Sequence, residues 1–121
     1  MFKSFVLVGI GGFIGSAARF AVSFFIKSPT PLPLATLLVN IIGSCIIGMV
    51  MGWSVQNHPL HQDWKLFLAS GLCGGFTTFS AFSMENIQLM QEGKIGLCLL
   101  YIALSVVLGI AAAWMGFRIT S

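Results

Sequence analysis

Residues 71 to 83 read GLCGGFTTFSAFS and lie inside an apolar stretch that carries no charge between Lys65 and Glu85. The two adjacent glycines and the two β-branched threonines both lower helical propensity. In a membrane, a helix break is tolerated only where protein or a water-filled cavity receives the freed backbone groups. Two interpretations follow. Either a helix is broken near Gly74 to Thr78 and its free carbonyls could hold a small cation, or an unbroken helix presents a Gly-Gly packing face.

The remainder of the chain is equally apolar. Its 121 residues are 57% hydrophobic and only 7% charged, whereas soluble domains carry about 25% charged residues. A helix crosses the ~30 Å hydrocarbon core with about 20 residues, so four crossings use nearly the whole chain. We therefore expect an all-α integral membrane protein with a single transmembrane domain over residues 1–121. Its four helices are expected at about 4–26, 34–55, 64–90 and 95–117.

Several classes of function are excluded by the scarcity and scatter of the polar residues. Six basic residues stand singly, whereas phosphate binding needs them clustered on one face, so we expect no nucleic-acid partner. The three cysteines lie inside apolar spans without CxxC spacing, which argues against disulfides or a zinc site. His58 and His61 have only Asp63 nearby as a third metal ligand. No Ser/His/Asp or Cys/His set converges, so the sequence predicts no enzyme.

Positive charges flank the two sides of the expected bundle almost equally. Lys3, Lys65 and Arg118 fall on one side of a four-span chain. Lys27 and Lys94 fall on the other. Because an excess of Lys and Arg in cytoplasmic loops sets orientation, this balance predicts insertion both ways up and assembly as an antiparallel pair. A protein fixed in one orientation by other signals is the alternative.

Three pairs of glycines have the spacing of four that lets helix backbones approach closely in lipid. They are Gly11 and Gly15, Gly48 and Gly52, and Gly71 and Gly75. Since four short helices have little interior, we expect some of these faces to serve a partner subunit. Packing within one subunit is the alternative.

Polar side chains inside the second span form a row at spacing four: Thr36, Asn40 and Ser44. Such groups are costly in hydrocarbon and therefore mark where function is expected. The amide of Asn40 offers two N–H donors, which suits an anion that has shed water. A hydrogen bond that only joins two helices is the alternative.

Two phenylalanines of the third span, Phe79 and Phe82, lie three residues apart on one helix face. The edge of an aromatic ring is positive, so two edges beside hydroxyl donors could line an anion path. Simple packing of the rings is the alternative. Ser80 and Ser83 keep the same spacing beside these rings, and Tyr101 and Ser105, four apart on the fourth span, could continue the polar track.

Two charged residues lie inside the expected spans. Glu85 shares a helical stripe with Thr78 and Phe82, and we expect it to have a hydrogen-bond partner or a water-filled mouth because an unpaired charge there is expensive. Arg19 either pairs inside the bundle or extends to the membrane interface, and the second outcome is the commoner one.

Three segments together resemble the Fluc (CrcB) family of bacterial fluoride channels. They are GGFIGSAAR (residues 11–19), LVNIIGS (38–44) and GLCGGFTTFSAFS (71–83). The likeness spans the whole chain in length, helix count and motif order. It implies a multi-pass protein of the bacterial inner membrane, built as a dual-topology homodimer of antiparallel four-helix subunits. It also implies two fluoride pores and a structural sodium ion at the dimer centre.

The resemblance further implies the role of individual residues. Asn40 matches the pore asparagine, and Phe79 and Phe82 match the pore phenylalanines whose ring edges face the ion. The matched polar track comprises Ser80, Ser83, Tyr101 and Ser105. Gly74 and Thr77 would offer backbone carbonyls to sodium. The other matched motif positions are Arg19, Thr78 and Glu85.

The expected function is therefore a fluoride-selective channel that exports fluoride from the cytoplasm by passive flow and so lowers its toxicity. Two other functions compete with it. A small dual-topology multidrug antiporter also has four helices, but that class has an essential acidic residue in its first helix, where this chain has only Arg19. A structural membrane subunit would use its polar residues only to join helices.

Overall fold

A computed structural model describes residues 1–55 and 62–121. Within these ranges the chain is helical and contains no strand. The elements in chain order are α1 (Phe2–Phe25), α2 (Leu34–Ser54), α3 (Gln62–Lys65), a π-helix (Leu66–Cys73), α4 (Gly74–Phe76), α5 (Ser80–Gln91) and α6 (Ile95–Thr120). His58 and His61 lie outside the described residues.

Four stretches are long and apolar enough to cross a membrane. They are Phe2–Phe25, Leu34–Ser54, Gln62–Gln91 and Ile95–Thr120. The third stretch contains every element from α3 to α5. The predicted all-α architecture with four membrane spans is thereby confirmed.

The ends of the helices follow from local chemistry. Three prolines separate α1 from α2, and the last, Pro33, directly precedes α2. Its carbonyl accepts the N–H of Leu37 at 3.2 Å, while its missing N–H costs nothing at a helix start. Between α5 and α6, Gly93 has a φ of 75°, a left-handed conformation that glycine adopts without steric cost.

The third span is not a uniform α-helix. The π-helix runs into the short α4, which contains both Gly74 and Gly75, and α5 begins at Ser80. Thr77 is extended, with φ −83° and ψ 156°. The residues outside the helices are thus 77 to 79, and the two glycines themselves are helical.

Backbone contacts at glycines hold α1 against the π-helix and α4. A Cβ atom built at Gly11 would lie 2.7 Å from the carbonyl oxygen of Phe67, and one at Gly75 would lie 2.5 Å from that of Gly12. On the other side of the subunit, Gly48 and Gly52 meet α6 in the same way. The three glycine pairs therefore pack within one subunit, where only the absence of a side chain permits this approach.

A second set of contacts joins α2, α5 and α6. Its core is formed by the buried side chains of Leu37, Leu89, Cys98 and Tyr101, and Phe82 packs against it.

At the opposite end of the bundle, Lys3 Nζ lies 2.8 Å from Asp63 Oδ2. This ion pair holds the starts of α1 and α3 at the same end.

Candidate functional site

The non-helical segment of the third span is held by the side chain of Asn40 on α2. Asn40 Nδ2 donates to the carbonyl oxygen of Thr78 at 3.2 Å, and Asn40 Oδ1 accepts the N–H of Thr78 at 2.9 Å. One amide group thus satisfies both backbone groups of a residue that no helix serves, as a break in hydrocarbon requires. The Asn40 amide, which the sequence singled out, therefore lies at the interruption. One of its two N–H groups donates to Thr78, and the other is not used by this bond.

Two carbonyls beside the interruption lose their usual helical partners. In a continuous helix the N–H of Thr78 would reach the carbonyl of Gly74, but it donates to Asn40 instead. The N–H of Ala81 would reach the carbonyl of Thr77, but it donates to Thr78 Oγ1 at 3.1 Å. The carbonyl oxygens of Gly74 and Thr77 are the two that the resemblance implies for sodium, and their oxygen donors suit a hard cation.

Arg19 is half-buried and pairs with the third span. Its Nε donates to the carbonyl oxygen of Gly75 at 3.2 Å. In a continuous helix that carbonyl would accept the N–H of Phe79, the last residue before α5. The arginine of α1 therefore supplies a donor to the final turn before the interruption.

Glu85 has two hydrogen-bond donors. Thr36 Oγ1 donates to Glu85 Oε2 at 2.7 Å, and the Tyr101 hydroxyl donates to Oε1 at 2.9 Å. The expectation of a partner for this carboxyl is confirmed, and the donors come from α2 and α6. Glu85 also borders a cavity of about 380 Å³ at the end of the bundle, formed with Pro31, Pro33, Gln88, Leu89, Glu92 and Lys94.

Three aromatic rings follow one another from the surface to the core. The ring centroids of Phe79 and Phe82 are 5.8 Å apart, and those of Phe82 and Tyr101 are 5.0 Å apart. Phe79 is 78% exposed on the subunit, whereas Tyr101 is 0% exposed. The row thus begins at an open surface and ends at the hydroxyl that binds Glu85.

A cavity of about 450 Å³ brings several predicted residues together. Its lining includes Asn40, Gly74, Thr77, Thr78, Phe79, Phe82 and Ser105. The Ser105 hydroxyl is buried and has no hydrogen-bond partner among the described residues. An amide, a serine and two phenyl rings therefore line one space within the spans, and these residue types provide partners for an anion.

Three predicted residues lie beside this cavity and not in its lining. The Ser80 hydroxyl is 3.4 Å from Thr78 Oγ1. Ser83 is half-buried on α5, and its backbone N–H donates to Phe79. The Tyr101 hydroxyl is directed to Glu85.

The resemblance assigns no role to Thr36 and Ser44, although their row with Asn40 is visible in the sequence. Thr36 binds Glu85, and Ser44 lines the cavity. The spacing of four along α2 was the signal that could have assigned them. Asn86 and Cys98, which bind each other, have no comparable signal.

The apolar spans surround an interior that contains polar groups and cavities. The protein is therefore a multi-pass α-helical membrane protein. The family model described as CrcB-like protein, Camphor Resistance (CrcB), matches residues 6–117. The chain belongs to this family.

Curated relatives match over almost their full lengths. The protein named Fluoride-specific ion channel FluC of Azobacteroides pseudotrichonymphae is 44% identical, over 99% of this chain and 98% of its own. The protein of the same name from Flavobacterium psychrophilum is 43% identical, over 97% and 96%. That from Oceanobacillus iheyensis is 36% identical, over 97% and 91%.

Proposed function

We propose that this chain is a fluoride-selective channel that lets fluoride leave the bacterial cytoplasm by passive flow, and that it is not an enzyme. The family and the names of the relatives support the substrate. The observation that carries the proposal is the cavity in which Asn40, Phe82 and Ser105 face one space. The physiological reason is chemical. Neutral HF crosses lipid and dissociates at the higher pH of the cytoplasm, so fluoride accumulates unless a pore lets it out.

The pore residues act through donors without a full positive charge. Asn40 uses one N–H for Thr78 and keeps a second for the anion. Ser105 has a hydroxyl with no protein partner among the described residues, and the ring edges of Phe79 and Phe82 are weakly positive. Ser80, Ser83 and Tyr101 extend the polar track from these positions. A narrow path with strong donors favours the small fluoride ion over chloride.

The channel is proposed to be an antiparallel dual-topology homodimer in the inner membrane, with one transmembrane domain per subunit and a third span broken near residues 74–78. Two observations support this assembly. The flanking positive charges are nearly balanced. The Phe79 ring, a proposed pore group, lies on an open face of the single subunit, and a second copy would close that side of the path.

A sodium ion at the dimer centre is part of the same proposal. Gly74 and Thr77 would hold it through carbonyl oxygens whose usual helical donors are bound elsewhere. The ion would supply a fixed positive charge that joins the two interrupted spans. No group of three His, Cys, Asp or Glu side chains forms an alternative metal site in residues 1–55 and 62–121.

Flux from liposomes tests the function directly. Purified protein is reconstituted into liposomes loaded with fluoride or with chloride, and efflux is recorded with ion-selective electrodes beside protein-free liposomes. We expect rapid loss of fluoride and far slower loss of chloride. The Phe82→Ile variant should lose most of the fluoride flux. A folded wild-type protein without fluoride flux would refute the channel, and a screen for proton-coupled substrates would then test the antiporter.

A further inference from the structure

Asn86 is a buried polar residue that the pore proposal does not use. It lies on α5, one residue after Glu85 and four after Phe82, and it is only 8% exposed. Asn86 Nδ2 donates to the carbonyl oxygen of Phe82 at 2.9 Å. Its Oδ1 accepts from the thiol of Cys98 at 3.2 Å. Both ends of the amide are therefore bound, one to its own helix and one to α6.

The partner thiol belongs to the core that supports the aromatic row. Cys98 is 4% exposed and clusters with Tyr101, one turn further along α6. Two bonds thus join α5 to α6 side by side, from Glu85 to Tyr101 and from Asn86 to Cys98. Together with the packing of Leu89 and Phe82 in the same cluster, these two adjacent bonds hold α5 in one rotation against α6 and so constrain the direction of Phe82.

An asparagine at this place has a cost that apolar packing would avoid. Its amide loses water on burial, and only hydrogen bonds at both ends offset that loss. Leucine would fill a similar volume but could bind neither the Phe82 carbonyl nor the Cys98 thiol. The bonds therefore provide orientation, since each one ends on a group that adjoins Phe82 or its neighbour Tyr101.

We propose that Asn86 and Cys98 are positioning residues that hold the Phe82 ring against Tyr101 and so set the selectivity of the pore for fluoride over chloride. This inference rests on the proposed function. It concerns residues that act through Phe82 and do not touch the ion.

A matched pair of substitutions at Cys98 tests the hydrogen bond. A serine hydroxyl can donate to Asn86 Oδ1, and alanine cannot. We expect Cys98→Ser to keep the ratio of fluoride to chloride efflux of the wild type, and Cys98→Ala to lower it by about threefold or more, the size of a lost weak hydrogen bond. Equal ratios in the two variants, whether both retained or both lost, would overturn the proposal.

A double-mutant cycle tests whether Asn86 acts through Phe82. Asn86→Leu should lower the selectivity ratio in the wild type but have no further effect in a Phe82→Ile background, because coupled residues are not additive. Gln91→Leu, which also replaces an amide with leucine but at an exposed position on α5, is the control and should leave the ratio unchanged. Equal losses from Asn86→Leu in both backgrounds would mean that it does not act through Phe82.

A spectroscopic measurement tests the position of the Phe82 ring independently of ion conduction. With 4-fluorophenylalanine at position 82, the fluorine NMR spectrum reports the ring environment whether or not the protein conducts. We expect one narrow resonance in the parent protein and Cys98→Ser, and a broadened or shifted one in Asn86→Leu and Cys98→Ala. An unchanged resonance in these last two variants would refute the positioning role, whereas absence of flux from the wild type would refute the proposed function.

Discussion

Two regions of the helix bundle hold their helices together in different ways. Between α1 and the third span, glycines bring backbone onto backbone, as Gly11 and Gly75 do. Between α5 and its neighbours α2 and α6, side-chain hydrogen bonds join the helices, as at Glu85, although α2 and α6 meet each other at glycines. In lipid no hydrophobic effect draws helices together, so packing and hydrogen bonds must do so. The hydrogen-bonded contacts place a carboxyl group and its donors inside the spans, close to the candidate pore.

The contact between α1 and the third span, which depends on glycines, should lose more stability when a side chain is added than the hydrogen-bonded contacts do. Gly15→Val would place a Cβ against the backbone of Leu72 and Phe76, and no flexible side chain there can move aside. We expect a loss of about 3 kcal/mol in the free energy of unfolding, measured by thermal unfolding in detergent.

Gly9→Val is the matched control for this change. Nothing lies within 4 Å of a Cβ built at Gly9, so its effect is that of the valine alone. Equal stability of the two variants would show that the close approach of α1 does not hold the subunit together.

Among the residues that form side-chain hydrogen bonds between helices, Asn40 should have the largest effect on function when it is replaced by leucine. The change removes both bonds to Thr78, and the backbone of the interruption is left unpaired. We expect fluoride efflux from liposomes to fall by about tenfold or more, since two hydrogen bonds of about 1 kcal/mol each are lost. Gln62→Leu, an amide substitution at an exposed position, should conduct like the wild type. Wild-type efflux from Asn40→Leu would remove Asn40 from the pore.

Tyr101→Phe should have a smaller effect, because the ring that packs on Phe82 remains. Only the donor to Glu85 is lost, and we expect about 1 kcal/mol less stability. Thr36→Val removes the other donor. Because both bonds end on one carboxylate, the double variant should not show the sum of the two losses. Strict additivity in thermal unfolding would mean that the two donors act independently.

The smallest change is expected at the surface. Lys94 Nζ lies 3.2 Å from Glu92 Oε1, and both side chains are largely exposed. Glu92→Gln should alter stability by less than about 0.5 kcal/mol, and added salt should reduce the difference further. A loss as large as that of Tyr101→Phe in the same unfolding assay would contradict the distinction between buried and exposed polar pairs.

Particular residues explain which parts of the site were predictable. Asn40 stands out because an amide in an apolar run is costly, and the same reasoning gave Glu85 an expected partner. It did not name Thr36 and Tyr101 as the donors, because the spacing along one helix carries no information about the neighbouring helix. Arg19 was expected to extend to the interface more often than to pair, and the carbonyl of Gly75 provides a partner that only folding brings near.

By itself, the sequence determined the number of spans, because the apolar lengths and the scarcity of charges leave no other arrangement in a chain of 121 residues. It also offered a break near residues 74–78 as one of two interpretations, since glycine and threonine propensities are local properties, but Gly74 and Gly75 are helical. The tertiary structure alone decided where the helix stops. Asn40 binds both backbone groups of Thr78, and an interruption in hydrocarbon lies where a neighbouring side chain can satisfy the backbone.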